Sequence, residues 1–147
     1  MTAETLNRLQ YLCDTIPSLL LKIPEGDFTN KPAPGKWSKK EILGHLIDSA
    51  TNNHQRFVRA QFENTPVIIY DQNNWNASSR YNQIDSKQLI SFWAIYNKHL
   101  ISLIKYIPNH ILTKECNTGD GNHTIQWLFD DYVEHQEHHL KQIVEYK

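Results

Sequence analysis

The chain has 147 residues, and its 15 lysines and arginines against 16 aspartates and glutamates give a formal net charge of −1 at pH 7. This length predicts a single domain, 1–147, that is large enough to bury a hydrophobic core. The net charge is near zero and no run of like charge exceeds three residues, so we expect neither nucleic acid nor an anionic membrane as a partner. The sequence has no secretory leader and no apolar run of membrane-spanning length, so we expect a cytoplasmic protein.

The first two helices are predicted from apolar residues at helical spacing. The first runs from about Ala3 to Lys22. The proline- and glycine-rich stretch after it predicts a loop of about a dozen residues in which no helix is sustained. Ser38, followed three residues later by Glu41, forms a capping box at the start of a second, long helix. This helix is predicted to end near Phe62.

A polar stretch between Glu63 and Asp85 interrupts the helical pattern, and it contains Tyr70, Trp75 and Tyr81. Loops of this length in compact domains are usually functional or disordered. The aromatic residues argue against disorder. A short strand in the sequence VIIY is compatible with the pattern but is not required by it.

A third helix is predicted to begin at Asp85 and to end before Pro108. The glycine-rich turn that follows is typical of a small hairpin. Thr124 is a plausible cap for a final helix that extends to Lys147. The fold class is therefore all-α, a four-helix bundle with long loops between helices 1-2 and 2-3 and a short irregular or hairpin segment before helix 4.

The final helix carries His135 and His139, which are four residues apart and so lie on one face. They fall within an arc of roughly 80° that is otherwise apolar. The apolar members of this arc are Leu128, Tyr132 and Ile143. Burying a polar group without a partner costs on the order of 1–3 kcal/mol. A shared divalent metal ion and a hydrogen-bonded core network are both possible partners.

A metal ion would need at least a third ligand from elsewhere in the chain. The second helix offers His45 and His54, and periodicity does not choose between them. Asp131, four residues before His135, is placed to orient an imidazole. The metalloprotease signature HExxH is absent because Gln136 occupies the position of its glutamate.

A pocket over this site is predicted from the long loop, in which Tyr70, Asp71 and Trp75 combine aromatic rings with a carboxylate. We assign Asn52 of the second helix and Tyr132 of the last helix to the same pocket. The alternative is that the loop aromatics merely plug one end of the bundle.

Three stretches, GKWSKKEILGHLIDS, YDQNNW and YVEHQEHHLKQI, in this order and at these separations, resemble the DinB-like (DinB/YfiT) superfamily of four-helix metal proteins. The resemblance covers nearly the whole chain. It implies a three-histidine site for a divalent metal, zinc or nickel, formed by His45, His135 and His139. It also implies that open positions on the ion activate either a low-molecular-weight thiol or water.

From this resemblance we infer a metal-dependent transferase or hydrolase that acts on a small-molecule substrate. The resemblance does not choose between a thiol and water as the nucleophile. The alternative is a non-catalytic helical module, for example a homodimer, that binds a ligand or partner and retains the histidines as structure. This alternative remains open because no obvious general base stands beside the histidines in the sequence.

Overall fold

The structure is a computed structural model that describes residues 2–147. Helices account for most of this part of the chain, and a small hairpin precedes the last helix. In chain order the elements are α1 (Thr2–Leu21), α2 (Glu25–Thr29), α3 (Lys39–Phe62), α4 (Gln72–Ser79), a 3₁₀ turn (Tyr81–Gln83), α5 (Ser86–Lys105), β1 (Glu115–Asn117), β2 (Asn122–Thr124) and α6 (Ile125–Leu140).

The four long helices form the bundle. Helix α1 packs against α5 and α6, and α3 packs against the same two helices from the other side. Their apolar faces meet in one core, in which Trp93 of α5 and Phe129 and Tyr132 of α6 are fully buried. The predicted all-α four-helix bundle is confirmed. None of the helices in residues 2–147 is long and apolar enough to cross a membrane.

Helix α3 begins where the sequence predicts it. The Ser38 hydroxyl accepts a hydrogen bond from the Glu41 amide at 3.0 Å, and the Glu41 carboxylate accepts one from the Ser38 amide at 2.9 Å. This reciprocal pair satisfies two amide groups that the first turn would otherwise leave without partners. The residue at which α3 begins is therefore fixed by local chemistry.

Two stretches that were predicted as loops contain short helices. Helix α2 directly follows Pro24, so the expectation of no further helix there was wrong; proline is tolerated where a helix begins because its missing N–H needs no partner. Helix α4 lies inside the long polar segment, and its amide groups are capped by the Asp71 carboxylate, which accepts from the Asn74 amide at 3.0 Å. Of the sequence VIIY, only Val67 forms a bridge, to Asn117.

The predicted hairpin is present. Strands β1 and β2 pair antiparallel with Cys116 opposite His123, and β2 leads directly into α6. The Thr124 hydroxyl accepts a hydrogen bond from the Trp127 amide at 3.1 Å, as expected for a cap. The helix ends at Leu140 rather than extending to Lys147, so the predicted C-terminal boundary was wrong.

Candidate metal centre

Three imidazole rings meet between α3 and α6. Helix α3 contributes His45, and α6 contributes His135 and His139. One ring nitrogen of each residue lies within 4.8 Å of the other two. The Nε2 atoms of His45 and His135 are 3.1 Å apart. The structure therefore brings together the three residues that the family resemblance implies as ligands.

Helix packing decides which histidine of α3 faces α6. His45 is 1% exposed and its ring centroid lies 4.8 Å from that of His139. His54 lies on another face of α3, where its Nδ1 is 2.8 Å from the Tyr96 hydroxyl of α5. Its ring also stands edge-on to His99 of α5 at 5.4 Å. His54 is therefore separate from the cluster.

The His45 and His135 nitrogens have the spacing of two ligands on a single metal ion. Two nitrogens that ligate one tetrahedral zinc ion at about 2.0–2.1 Å stand about 3.4 Å apart, close to the separation of the His45 and His135 Nε2 atoms. Three imidazole nitrogens suit zinc, nickel, copper or iron better than magnesium or calcium, which prefer oxygen ligands. The Nε2 of His45 is the nitrogen that faces the cluster, since it lies 3.1 Å from the His135 Nε2. The buried Nδ1 of His45 has no hydrogen-bond partner in residues 2–147.

Burial keeps these rings neutral, which is the form that binds metal ions. It lowers the pKa of His45 to about 3, with a smaller contribution from the neighbouring His135 and His139. The pKa of His135 falls to about 4, again mainly through burial. The pKa of His139 is lowered for the same reason, although a hydrogen bond with Gln142 opposes the shift.

Neighbouring side chains fix the orientation of two of the imidazole rings, those of His139 and His45. The Nδ1 of His139 lies 2.9 Å from the Gln142 side-chain oxygen, which favours a proton on Nδ1 and leaves Nε2 to face the cluster. The Trp37 ring lies against His45 with 4.8 Å between centroids. A neighbouring aromatic ring limits the rotation of the imidazole and keeps water from one side of it.

A polar cavity of about 150 Å³ adjoins His135. Its walls come from α3, from α6 and from the segment between α3 and α4. The lining residues are Ser49, Asn53, Arg56, Tyr70, Asp131, Tyr132 and His135. A larger groove of about 540 Å³, between α1 and α6, contains none of the three clustered histidines. The smaller cavity is therefore the candidate substrate pocket.

The loop residues predicted for the pocket lie at its edge or outside it. Tyr70 lines the cavity, and Trp75 stands edge-on to Tyr70 with 5.9 Å between centroids. Trp75 is itself 37% exposed. Asp71 is exposed, and its carboxylate caps α4, where it also accepts a hydrogen bond from the Asn74 side chain at 2.7 Å. The cavity beside His135 does not include Asp71.

The predicted pocket residues on the helices differ in their surroundings. Tyr132 lines the cavity but donates its hydroxyl proton to Asn97 at 2.6 Å inside the core. Asn52 is buried, and its amide donates to the Asp48 carbonyl of its own helix at 2.9 Å. Asp131 stands at the exposed mouth of the cavity. Asp131 makes no hydrogen bond to an imidazole in residues 2–147. The structure therefore does not show the predicted role of Asp131 in orienting a histidine ring.

Three cavity residues were not selected from the sequence: Ser49, Asn53 and Arg56. They follow His45 at intervals of four, four and three residues, so all four side chains lie along one stripe of α3. This spacing was available in the sequence. It becomes informative only once the stripe is known to face α6 and the segment around Tyr70.

Gln136 lies between the two histidines of α6 but belongs to the core. It is fully buried, accepts a hydrogen bond from the Trp93 indole at 2.9 Å and donates to the Leu46 carbonyl at 3.4 Å. We expect Gln136→Glu to destabilise the protein by about 1–3 kcal/mol, because a buried carboxylate loses its solvation and the bond to Leu46. Burial raises the pKa of a carboxyl group, so folding opposes its ionisation. The decrease in the free energy of unfolding, measured in urea, should therefore be greater at pH 8 than at pH 5.

The matched control is Gln55→Glu, at an exposed position of α3. It should change the free energy of unfolding by no more than about 0.5 kcal/mol. Equal losses for the two variants would contradict a special role for the Gln136 contacts.

Comparisons with known proteins agree with this architecture. A family model described as the DinB superfamily matches residues 3–143. A protein of Oceanobacillus iheyensis named "Putative metal-dependent hydrolase" is 23% identical over 141 residues, covering 95% of this chain and 82% of the relative. YfiT of Bacillus subtilis, which has the same designation, is 24% identical over 114 residues, covering 76% and 64%.

A solved structure has the same fold. It is YfiT from Bacillus subtilis, described as a probable metal-dependent hydrolase with an unusual four-helix bundle topology. It superposes with a TM-score of 0.87 at 19% identity, over 97% of this chain and 83% of the other. At this level of identity the match establishes the fold.

Proposed function

This chain belongs to the DinB superfamily, and from that premise we propose that it is a metal-dependent hydrolase in which His45, His135 and His139 hold one divalent ion, zinc or nickel. The observation that carries the proposal is the meeting of three neutral ring nitrogens within 4.8 Å. The designations of the two bacterial relatives favour hydrolysis. An ion with three imidazole ligands and an open position lowers the pKa of bound water and so supplies a nucleophile near neutral pH.

The protein's own groups would bind and orient the substrate in the cavity beside His135. The Ser49 hydroxyl lines this cavity and can hydrogen-bond a polar group of the substrate. Asn53 lines it too, but its amide donates to the Ser49 hydroxyl at 3.2 Å and so orients that group. Tyr70 covers it from the segment between α3 and α4. Asp131, at its mouth, is the cavity carboxylate and in this proposal accepts the proton released during hydrolysis.

The test is a comparison of nucleophiles with protein purified without a histidine tag and loaded with Zn²⁺ or Ni²⁺. We expect the loaded protein to hydrolyse members of a panel of small esters and amides without added thiol. A chelator should stop turnover and the ion should restore it. Turnover that requires a low-molecular-weight thiol and an electrophile would instead assign a transferase. A protein that binds the ion but turns over neither panel would support the non-catalytic module.

We also expect Asp48 to support the site. The Asp48 Oδ2 and the His45 Nδ1 are the buried side-chain polar atoms that lack a hydrogen-bond partner in residues 2–147, and their residues are one turn apart on α3. A ligating histidine usually donates its second N–H to a carboxylate, carbonyl or water, and losing such a partner costs about 10–100-fold in metal affinity. The two atoms are not bonded to each other, so Asp48 acts on the site through the charge of its carboxylate. Asp48→Asn should therefore weaken Zn²⁺ binding by less than the loss of a directly bonded partner, that is by up to about 10-fold, in competition with a chromophoric chelator.

The control for this variant is Tyr81→Phe, which removes the hydroxyl that donates to the other oxygen of Asp48 but leaves the carboxylate in place. It should change the Zn²⁺ affinity less than Asp48→Asn does. An unchanged Zn²⁺ affinity in Asp48→Asn would show that the Asp48 carboxylate does not act on the metal site.

A further inference from the structure

We propose that Arg56 is the recognition residue for a carboxylate group on the substrate, bound in the cavity beside His135. This inference rests on the proposed function for the place of the reaction, and it adds the chemical class of the substrate. Three observations support it. Arg56 is held by hydrogen bonds, it has no counter-ion within ion-pair distance in residues 2–147, and it lines the same cavity as His135.

The guanidinium group of Arg56 is held in place by hydrogen bonds, but some of its N–H donors have no acceptor. Its Nε and Nη2 donate to the Ile68 carbonyl at 3.2 and 2.9 Å, and its Nη1 lies 3.4 Å from the Asn53 side-chain oxygen. Tyr70 lies over the group, 5.9 Å from its central carbon. A guanidinium has five N–H donors, so two remain for a ligand. The two remaining N–H groups belong to the two Nη atoms, one on each. A planar guanidinium can pair with the two oxygens of a carboxylate through its two Nη atoms.

Arg56 also lacks a counter-ion in the described residues. The acceptors of its hydrogen bonds are all neutral, and no carboxylate lies within ion-pair distance. Arg8 and Arg59 differ, since each pairs with a glutamate at 2.6 Å. Burial lowers the pKa of Arg56, which reflects the loss of solvent around its charge. Asp120 and Asp131 oppose this shift only from beyond ion-pair distance. A partly desolvated cation whose direct acceptors are all neutral is costly, and an anionic ligand would offset this cost.

The position of Arg56 connects this charge to the proposed reaction site. Arg56 and His135 line the same cavity of about 150 Å³. The stripe of α3 that begins at His45 reaches Arg56 after three turns. A substrate anchored at Arg56 would therefore extend toward the histidines. Asp131 at the mouth of the cavity disfavours ligands of higher negative charge, so a monoanionic carboxylate fits better than a dianionic phosphate.

The first test uses the unaltered protein. In ¹⁵N-labelled protein, acetate should produce a saturable shift of the Arg56 Nε–H resonance, assigned from its absence in Arg56→Lys. Acetamide, which has the same shape but no charge, should produce none, and inorganic phosphate should bind more weakly than acetate. Equal shifts with acetate and acetamide, or equal shifts at Arg56 and Arg59, would overturn the proposal. So would tighter binding of phosphate, which would assign a phosphoryl ligand instead.

The second test asks whether the Arg56 site and the metal site serve one ligand. Zn²⁺-loaded protein is titrated with acetate and with a series of dicarboxylates of increasing length. One dicarboxylate should bind at least about 10-fold more tightly than acetate, equivalent to about 1.4 kcal/mol, because it spans the ion and Arg56. Arg56→Gln should lose this advantage, whereas Arg59→Gln, which makes the same charge change on the same helix, should keep it. If Arg59→Gln loses it equally, the proposal fails.

Two further outcomes separate this proposal from the proposed function. If the protein binds no divalent ion but acetate still shifts Arg56, the hydrolase proposal fails and the carboxylate site stands. If the ion binds but acetate leaves the Arg56 resonance unchanged, the carboxylate site is refuted and the hydrolase proposal stands.

The Asp131→Asn variant should bind acetate more tightly, because the substitution removes a negative charge from the mouth of the cavity. Weaker binding of acetate would show that Arg56 is not the group that receives the ligand.

Discussion

Replacing His135 by alanine is expected to abolish stoichiometric metal binding. The variant keeps the His45 and His139 rings but loses the nitrogen that lies 3.1 Å from the His45 Nε2. Three protein ligands are the usual minimum for a catalytic zinc site. Structural zinc sites with four ligands bind with roughly 10–16 kcal/mol in total, about 3 kcal/mol or more for each ligand, so losing one ligand should weaken affinity by roughly 100-fold or more. Elemental analysis of tag-free protein after dialysis would measure the loss directly.

The matched control is His138→Ala, one residue from His139 on the same helix. His138 is exposed, and its ring lies outside the three-nitrogen cluster. This variant should retain one ion per chain and should be stabilised by added Zn²⁺ as the unaltered protein is, since ligand binding to the folded state raises the melting temperature. A His135→Ala protein that still holds one ion and still gains thermal stability would refute the three-histidine site.

The sequence predicts two of the three histidines of this cluster and leaves the third open. A spacing of four residues translates directly into proximity on a helix, so the grouping of His135 and His139 follows from local geometry alone. The choice between His45 and His54 does not follow. These residues are nine apart and so point to opposite sides of α3, and only the packing of α3 against α6 and α5 decides which side faces the pair. The family resemblance, rather than periodicity, selects His45.

The segment between α3 and α5 shows a second limit of sequence patterns. Helix α4 was missed because its sequence, QNNWNASS, has no apolar periodicity. Its stabilising contacts come from the Asp71 cap and from Asn76, whose amide donates to the Glu41 carbonyl at 2.8 Å. Arg56 was passed over for a related reason. Its partner, the Ile68 carbonyl, comes close only because the chain reverses after α3.

The Gly44→Ala substitution is expected to destabilise the protein strongly although it adds a single methyl group. A Cβ atom at this position would lie 2.1 Å from the Tyr81 ring, which is itself only 6% exposed. The ring cannot move away freely, because its hydroxyl donates a hydrogen bond to the buried Asp48. Overpacking costs about 1–3 kcal/mol, and the 2.1 Å contact places this site at the upper end of that range. Alanine in place of glycine returns about 1 kcal/mol of helix stability. We therefore expect a net loss of about 2 kcal/mol in urea unfolding.

Gly26→Ala is the matched control, since nothing lies within 4 Å of a Cβ atom at that position of α2. It should leave stability unchanged or raise it by less than about 1 kcal/mol. A double-mutant cycle isolates the cause: once Tyr81→Ala has removed the ring, adding Gly44→Ala should no longer destabilise the protein. A loss of the same size in both backgrounds would mean that the ring is not the obstacle. Because Gly44 directly precedes His45, a displaced Tyr81 should also weaken Zn²⁺ binding, which links the packing of this turn to the metal site.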